Sequence, residues 1–319
     1  MNQREPLLIL TGPTSVGKTN LSVALAKKVN GEIISADSMQ VYRHMDIGSA
    51  KIKPEEMQGV PHHMLNILEP TESFHIALFQ KLAKQYIREI RQRGHLPILV
   101  GGTGFYIQSV LYDIDFTQEE GDGSYREELE ALMQEKGEEY LHAMLRKVDE
   151  ASAMSIHPNN RKRVIRALEY YHLTGQKISE HNEVQREKES IYQSCYFVLN
   201  DDREKLYARI DERVDKMLTD GLVEEVTRLM EKGCRRDMVS MQGLGYKEIL
   251  DYLSGEITLE RAVYLIKRDT RHFAKRQLTW FRREKEVIWL EKEKFGYDDG
   301  KILDYMTEKM KEKGISDYS

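Results

Sequence analysis

Apolar runs and amphipathic segments alternate along the first hundred residues of the chain. Three runs predict buried β-strands: PLLIL at 6–10, GEIISADS at 31–38 and LPILVGG at 96–102. The segments between them, 20–29 and 73–94, have apolar residues at helical spacing. Strands joined through connections of helix length form parallel sheets. We therefore expect an α/β fold with a parallel-sheet core.

Polar residues follow each predicted strand. The glycine-rich segment 12–19 follows the first strand, Asp37 ends the second and Thr103 follows the third. Ligands of parallel sheets bind at the carboxyl ends of the strands. These three positions are therefore expected to meet in one crevice.

The pattern changes to polar helices from about Thr117 and returns to an apolar strand at 191–200. Long helices follow that strand. The chain thus predicts a catalytic core formed by 1–116 and 191–319, which includes the C-terminal helices. A helical insertion, 117–190, interrupts this core.

Composition and charge are those of an ordinary globular protein, and they bear on its location in the cell. The chain has 319 residues with a net charge of −5, and no apolar run approaches the roughly 18 residues of a membrane span. The N-terminus lacks a signal-peptide pattern. Cys195 and Cys234 have no metal or redox spacing. We expect a cytoplasmic protein without membrane contact, and a monomer.

Positive charge concentrates in 261–283, which contains eight Lys or Arg and a single acidic residue, Asp269. Such a run is typical either of a solvated helix face or of a nucleic-acid contact. A second basic segment, NNRKRVIR, places Arg163 and Arg166 on adjacent turns of a helix that starts near Asn159 and Asn160 and ends at Gly175. Its spacing fits a phosphodiester backbone and a solvated face equally well.

The segment GPTSVGKT fits the phosphate loop (P-loop) pattern at every fixed position. Its glycines let backbone N–H groups face phosphate oxygens, and the following helix adds positive potential. Lys18 supplies a charge and Thr19 a hydroxyl for Mg²⁺. The motif predicts a bound di- or triphosphate, and the residues expected to hold it are Gly12, Pro13, Thr14, Ser15, Val16, Gly17, Lys18 and Thr19.

Asp37 and the GGTG segment are the other candidates for chemistry. Asp37 could help hold magnesium, act as a general base, or cap a following helix. In nucleotide hydrolases the strand equivalent to 96–102 ends in a magnesium-holding aspartate, but here it ends in Gly101, Gly102 and Thr103. The GGTG segment could also be a tight turn that needs glycine.

His62 and His63 are adjacent, and no carboxylate or cysteine follows at ligand spacing. We interpret them as structural residues, and His157 likewise.

Together these segments resemble the tRNA dimethylallyltransferases, also called tRNA isopentenyltransferases, in their bacterial form. The resemblance covers most of the chain, and its segments are GPTSVGKT, IISADSMQVYRHMDIGSAK, GVPHHMLNI, LVGGTGFYIQSVL, HPNNRKRVIRALE, RIDERVDKML, GLVEEVTRL, QGLGYKEI and TRHFAKRQLTWFRR. It implies transfer of a dimethylallyl group from dimethylallyl pyrophosphate to N6 of the adenosine on the 3′ side of the tRNA anticodon. The P-loop would then hold the leaving pyrophosphate, and no hydrolytic aspartate would be needed.

The resemblance also implies roles for single residues. Asp37 would accept the proton from N6, Arg213 would stabilise the pyrophosphate with Mg²⁺ held at Thr19, and Thr103 would contact donor or acceptor. The insertion would clasp the anticodon stem-loop. The implied tRNA contacts are Asp37, Ser38, Met39, Gln40, Lys162, Arg163, Val164, Ile165 and Arg166.

Three other functions remain open from the residues alone. A small-molecule kinase would use the same loop for ATP and Asp37 as its base. An isopentenyltransferase for free AMP would need no helical insertion. A nucleic-acid-binding ATPase would need a further acidic motif that the chain does not show.

Overall fold

A computed structural model describes residues 4–116 and 123–315. Six parallel strands form one sheet in the order β3-β2-β4-β1-β5-β6. The strands are β1 (Glu5–Thr11), β2 (Gly31–Ser35), β3 (His62–His63), β4 (Leu96–Gly101), β5 (Tyr192–Asn200) and β6 (Val287–Glu291). The predicted α/β fold with a parallel sheet is confirmed.

Fourteen helices accompany the sheet in the described part of the chain. They are α1 (Lys18–Lys28), α2 (Pro54–Met57), α3 (Ile76–Gln92), α4 (Gly104–Leu111), α5 (Ser124–Lys136), α6 (Glu138–Val148), α7 (Glu150–Ser155), α8 (Arg161–Thr174), α9 (Ile178–Glu187), α10 (Arg203–Thr219), α11 (Leu222–Glu231), α12 (Tyr246–Leu253), α13 (Leu259–Phe281) and α14 (Asp299–Glu312). None of these helices is long and apolar enough to span a membrane.

Strand β1 is the centre of the sheet because both of its faces are apolar. Residues 7–10 are completely buried, and β1 pairs in parallel with β4 on one side and β5 on the other. Strands covered on both faces have continuous apolar sequences of this kind. The carboxyl end of β1 therefore lies between two other strand ends, next to Gly101 and Val198.

The chain forms two compact units. One consists of 1–111 and 191–319, and the other of 112–190. The second unit starts a few residues before the expected position 117, and the Lys188 ammonium donates to the Asp113 carbonyl at 3.0 Å, which joins its two ends. Residues 117–122 lie outside the described residues.

The second unit has an apolar core of its own. Helices α5, α6 and α8 supply fully buried residues such as Leu129, Leu141 and Val164. Helix α8 begins after Asn160 and ends at Gly175, whose φ of +69° closes the helix in the left-handed region. These are the ends that the sequence predicts for this helix.

Candidate active site

The P-loop joins β1 to α1 in a conformation that depends on glycine. Gly12 has φ of +145°, and a Cβ there would overlap the Leu199 carbonyl oxygen. Gly17, with φ of +101°, precedes the first helical residue, Lys18. The Lys18 ammonium donates to the carbonyls of Gly12 at 2.9 Å and Pro13 at 2.7 Å. The lysine is thereby held across the mouth of the loop.

The charges around Lys18 are unbalanced toward positive. Burial, together with the nearby Arg213 cation, lowers the pKa of Lys18 to about 7, and the Asp37 carboxylate opposes both effects. Burial also lowers the pKa of Arg213, again opposed by Asp37. Two cations thus share one carboxylate, which suits an anionic ligand of more than one charge.

Asp37 follows β2 and shapes the turn after it. Its Oδ1 accepts the N–H of Met39 at 2.8 Å and of Gln40 at 3.4 Å. The residues after it form turns and no helix. Asp37 therefore does not cap a helix, as one alternative had it, but caps a turn. The capping oxygen is Oδ1, and no hydrogen bond to Oδ2 is among those described.

The end of β4 lies against the same turn. The Thr103 N–H donates to the Ala36 carbonyl at 3.3 Å, and a Cβ on Gly101 would overlap that carbonyl. The Thr103 carbonyl accepts the N–H groups of Tyr106 and Ile107 at the start of α4. Gly101 is thus needed because the backbone of Ala36 comes close to it. Thr103 lies beside the Asp37 segment.

Gln277 on α13 joins the P-loop to the end of β4. Its Oε1 accepts the Thr14 N–H and its Nε2 donates to the Gly102 carbonyl, both at 2.9 Å. On the next turn of α13, the Trp280 ring packs on Gly104 so closely that a Cβ there would overlap it. The Thr14 N–H, expected to face phosphate, is therefore already bonded to a side chain.

Two further charged residues hold the outer side of the P-loop. Arg209 donates to the Ser15 carbonyl at 3.1 Å and pairs with the buried Asp201 at 2.5 Å. The Lys292 ammonium lies beside Gly17, 3.3 Å from where a Cβ would be. Sequence reasoning missed Gln277, Arg209 and Lys292, because their partners lie far away along the chain.

Gln40 and its neighbours were expected to face tRNA. The Gln40 amide is occupied by the protein: Oε1 accepts the Ser35 hydroxyl at 3.1 Å, and Nε2 donates to the Ser49 carbonyl at 3.3 Å. Ser38 and Met39 are half-buried. In this conformation the side chain of Gln40 braces its own loop and does not present a free amide.

The basic segment of α8 lies in the second compact unit. Lys162 and Arg163 are exposed and Arg166 is half-buried. Val164 and Ile165 are 0% and 6% exposed and belong to the apolar core of that unit. The exposed Lys162 and Arg163 are thus available to a ligand, whereas the two apolar side chains are not.

Helix α13 lines a surface cavity of about 370 Å³. Its lining residues are His272, Lys275, Arg276, Thr279, Trp280 and Arg283. An aromatic ring among several cations is the combination that stacks bases and contacts phosphates.

The histidine pair has structural partners. His62 Nδ1 lies 2.8 Å from the Val60 carbonyl, and His63 Nε2 lies 2.6 Å from the Glu32 carboxylate. Within residues 4–116 and 123–315, no three metal-binding side chains cluster. Thr19, at the exposed start of α1, has the hydroxyl that P-loops use for a phosphate-bound magnesium ion.

Known families match both parts of the sequence that carry these residues. The isopentenyl transferase family matches residues 6–70, and the IPP transferase family matches residues 40–284. The chain belongs to the IPP transferase family. It is thus a transferase enzyme, as the resemblance predicts.

Relatives in this family match almost the whole chain. A tRNA dimethylallyltransferase of Lachnoclostridium phytofermentans is 62% identical over 98% of this chain and 99% of its own. One of Carboxydothermus hydrogenoformans is 52% identical over 98% and 99%. The similarity therefore includes the helical insertion as well as the core.

Solved structures of tRNA isopentenyl- and dimethylallyltransferases are also similar to this chain. The full-length tRNA isopentenylpyrophosphate transferase of Bacillus halodurans is 47% identical, with a TM-score of 0.74 and 98% of each chain covered. A eukaryotic dimethylallyltransferase, described as acting on tRNA, is 31% identical with a TM-score of 0.77 over 90% of this chain and 74% of its own.

Proposed function

We propose that the protein transfers a dimethylallyl group from dimethylallyl pyrophosphate to N6 of the adenosine on the 3′ side of the tRNA anticodon, and releases pyrophosphate. The observation that carries this proposal is the charge arrangement at the P-loop. Arg213 and Asp37 both act on Lys18, and Asp37 also acts on Arg213. Strand β4 ends at Gly101 and is followed by glycine and threonine.

The P-loop suits a pyrophosphate leaving group. When the bond between the allylic carbon and oxygen breaks, negative charge grows on the leaving oxygen. Arg213 and Lys18, whose charged form the bound pyrophosphate favours, would stabilise that charge from positions fixed by the fold, which lowers the barrier. Magnesium bound at Thr19 would supply further charge neutralisation.

Asp37 suits the acceptor side of the same reaction. The nitrogen of the adenine amino group becomes acidic as it bonds to carbon and must lose a proton. Asp37 uses Oδ1 to cap the turn, which leaves Oδ2 as the oxygen we assign to that proton. A positioned base of this kind typically contributes about 10²–10⁴-fold to the rate.

The RNA must bring an adenosine to this crevice out of a stacked anticodon loop. Thr103 is placed beside the Asp37 segment and would contact the reacting groups there. The cations and Trp280 at the α13 cavity would bind the phosphates and bases next to the target. The exposed Lys162 and Arg163 would contact the phosphates of the stem.

The test compares wild type with Asp37→Asn. Asparagine keeps an oxygen that can cap the turn, but it cannot accept the proton. Each protein is incubated with Mg²⁺, radiolabelled dimethylallyl pyrophosphate and an unmodified anticodon stem-loop. We expect label in the RNA with wild type and about 10²–10⁴-fold slower labelling with Asp37→Asn. Asp304→Asn, at an exposed carboxylate of α14, is the matched control.

Binding of inorganic pyrophosphate serves as the second measurement, since Asp37→Asn leaves the P-loop intact. If wild type does not label RNA and instead moves phosphate from ATP to a small acceptor, the proposed reaction is wrong. If Asp37→Asn labels RNA as fast as wild type, the transferase stands and Asp37 is only a turn cap.

A further inference from the structure

Glu225 on α11 is a buried carboxylate outside the residues assigned above. It is 3% exposed. Its Oε2 accepts the N–H groups of Asp46 at 2.9 Å and Ile47 at 2.8 Å, and its Oε1 accepts that of Gly48 at 3.1 Å. Three successive backbone N–H groups that converge on one anion form a backbone nest. The chain thus supplies its own anion to a loop that begins nine residues after Asp37.

Tyr246 on α12 completes this anchor. Its hydroxyl, fully buried, donates to Glu225 Oε1 at 2.8 Å. Burial and the Glu225 charge raise the pKa of Tyr246 well above its usual value, so the hydroxyl remains a donor. A Cβ on Gly48 would lie 2.6 Å from the Tyr246 ring. Only glycine allows the ring this close to the loop.

The anchored loop is linked to the Asp37 turn through one side chain. Gln40 Nε2 donates to the carbonyls of Ser49 at 3.3 Å and Ala50 at 3.5 Å. The Gln40 N–H in turn donates to Asp37 Oδ1 at 3.4 Å. The contacts therefore run without a break from Glu225 through residues 46–50 to Gln40 and Asp37.

We propose that Glu225 and Tyr246 are positioning residues for the transfer reaction. They fix the loop 46–50, and through Gln40 they hold the Asp37 carboxylate where it can reach the acceptor nitrogen. This inference rests on the proposed function, because it assigns Asp37 the proton. Proton transfer requires donor and acceptor within hydrogen-bond reach, so a small shift of this loop slows the reaction.

The P-loop is held by other contacts. Gln277 bonds to Thr14 and Arg209 bonds to Ser15, and neither side chain belongs to the Glu225 anchor. Loss of the anchor should therefore slow transfer and leave pyrophosphate binding unchanged. A residue that only stabilised the fold would affect both together.

Glu225→Gln is the main variant. It keeps the size of the side chain but replaces one acceptor oxygen by an N–H₂ group that faces backbone donors. We expect kcat for transfer to the anticodon stem-loop to fall about tenfold or more. The KM for dimethylallyl pyrophosphate and the Kd for inorganic pyrophosphate should stay within about twofold of wild type. Glu224→Gln changes the exposed neighbouring carboxylate and should match wild type in all three.

If Glu225→Gln does not fold, Tyr246→Phe is tested in its place. This variant removes one hydroxyl and keeps the ring, so it disturbs the packing less. It should show the same separation of kcat from pyrophosphate affinity, with a smaller fall in kcat. Equal loss of kcat and pyrophosphate binding, or no loss of either, overturns the inference. An inactive wild type would instead refute the proposed function, so the two failures are distinguishable.

Discussion

Lys18 is both hydrogen-bonded to the P-loop and lowered in pKa. It lies across the P-loop mouth, bonded to the carbonyls of Gly12 and Pro13, and its pKa is lowered to about 7 by burial and by Arg213. In the free protein the lysine is therefore half neutral near pH 7. A pyrophosphate ligand would favour the charged form and raise this pKa again.

Pyrophosphate binding should therefore take up protons above pH 7. At pH 8 the free Lys18 is mostly neutral, so wild type should take up about one proton more than Lys18→Arg, whose side chain is charged throughout. At pH 6 the two proteins should agree, because Lys18 is already charged. Calorimetric titration with inorganic pyrophosphate, in buffers of different ionisation enthalpy, measures this difference. Equal proton numbers at pH 8 would contradict it.

Helix α13 is the element that organises the crevice. Its buried face supplies Gln277, which joins the P-loop to the end of β4, while its exposed face supplies the cations of the surface cavity. The cations of the cavity thus lie on the exposed face of a helix whose buried face bonds to the P-loop. In an amphipathic helix of this kind, the buried face packs against the protein and the exposed face can contact a ligand.

Gln277→Ala should weaken both the fold and the pyrophosphate site. It leaves the Thr14 N–H and the Gly102 carbonyl without their partner, which costs about 1–3 kcal/mol of the free energy of unfolding. Urea denaturation measures this loss, and pyrophosphate titration measures the weaker binding. Arg261→Ala, at the exposed start of α13, is the control and should change stability by less than about 0.5 kcal/mol. Unchanged stability for Gln277→Ala would show that the loop does not need this bridge.

The P-loop and the basic segment of α8 lie in different compact units. The core contains the P-loop, Asp37 and Thr103, and the unit of 112–190 contains the basic segment of α8. The chain leaves the core at Leu111 and returns at Ile191, whose N–H donates to the Leu111 carbonyl at 2.9 Å. A short link can therefore replace the insertion without separating the ends of the core.

Replacement of residues 112–190 by a short glycine linker should leave a folded core. We expect pyrophosphate affinity within about twofold of wild type, because the P-loop contacts are all in the core. Affinity for the anticodon stem-loop should fall about tenfold or more, since the phosphate contacts that we propose for the insertion would be lost. Filter binding at fixed salt concentration measures the second value. Unchanged RNA affinity would mean that the insertion does not clasp tRNA.

Local patterns in the sequence determined the parallel sheet, the P-loop and the ends of α8. A buried strand, a glycine-rich turn and a helix end are each set by neighbouring residues, so spacing alone predicts them. The strands β3 and β6 were missed. The two residues of β3 are too few to show any periodicity. The helix expected after Asp37 as one alternative proved to be a series of turns.

Only the tertiary structure decided how the site is held together. Gln277 meets Thr14 across 263 residues of sequence, and Glu225 meets the loop at Asp46 across 179. No spacing rule connects such pairs, because their proximity results from the packing of α11 and α13 against the sheet loops. The tertiary structure also shows that Val164 and Ile165 are core residues. The sequence specifies which chemical groups are present, and the packing of distant helices decides which of them lie together.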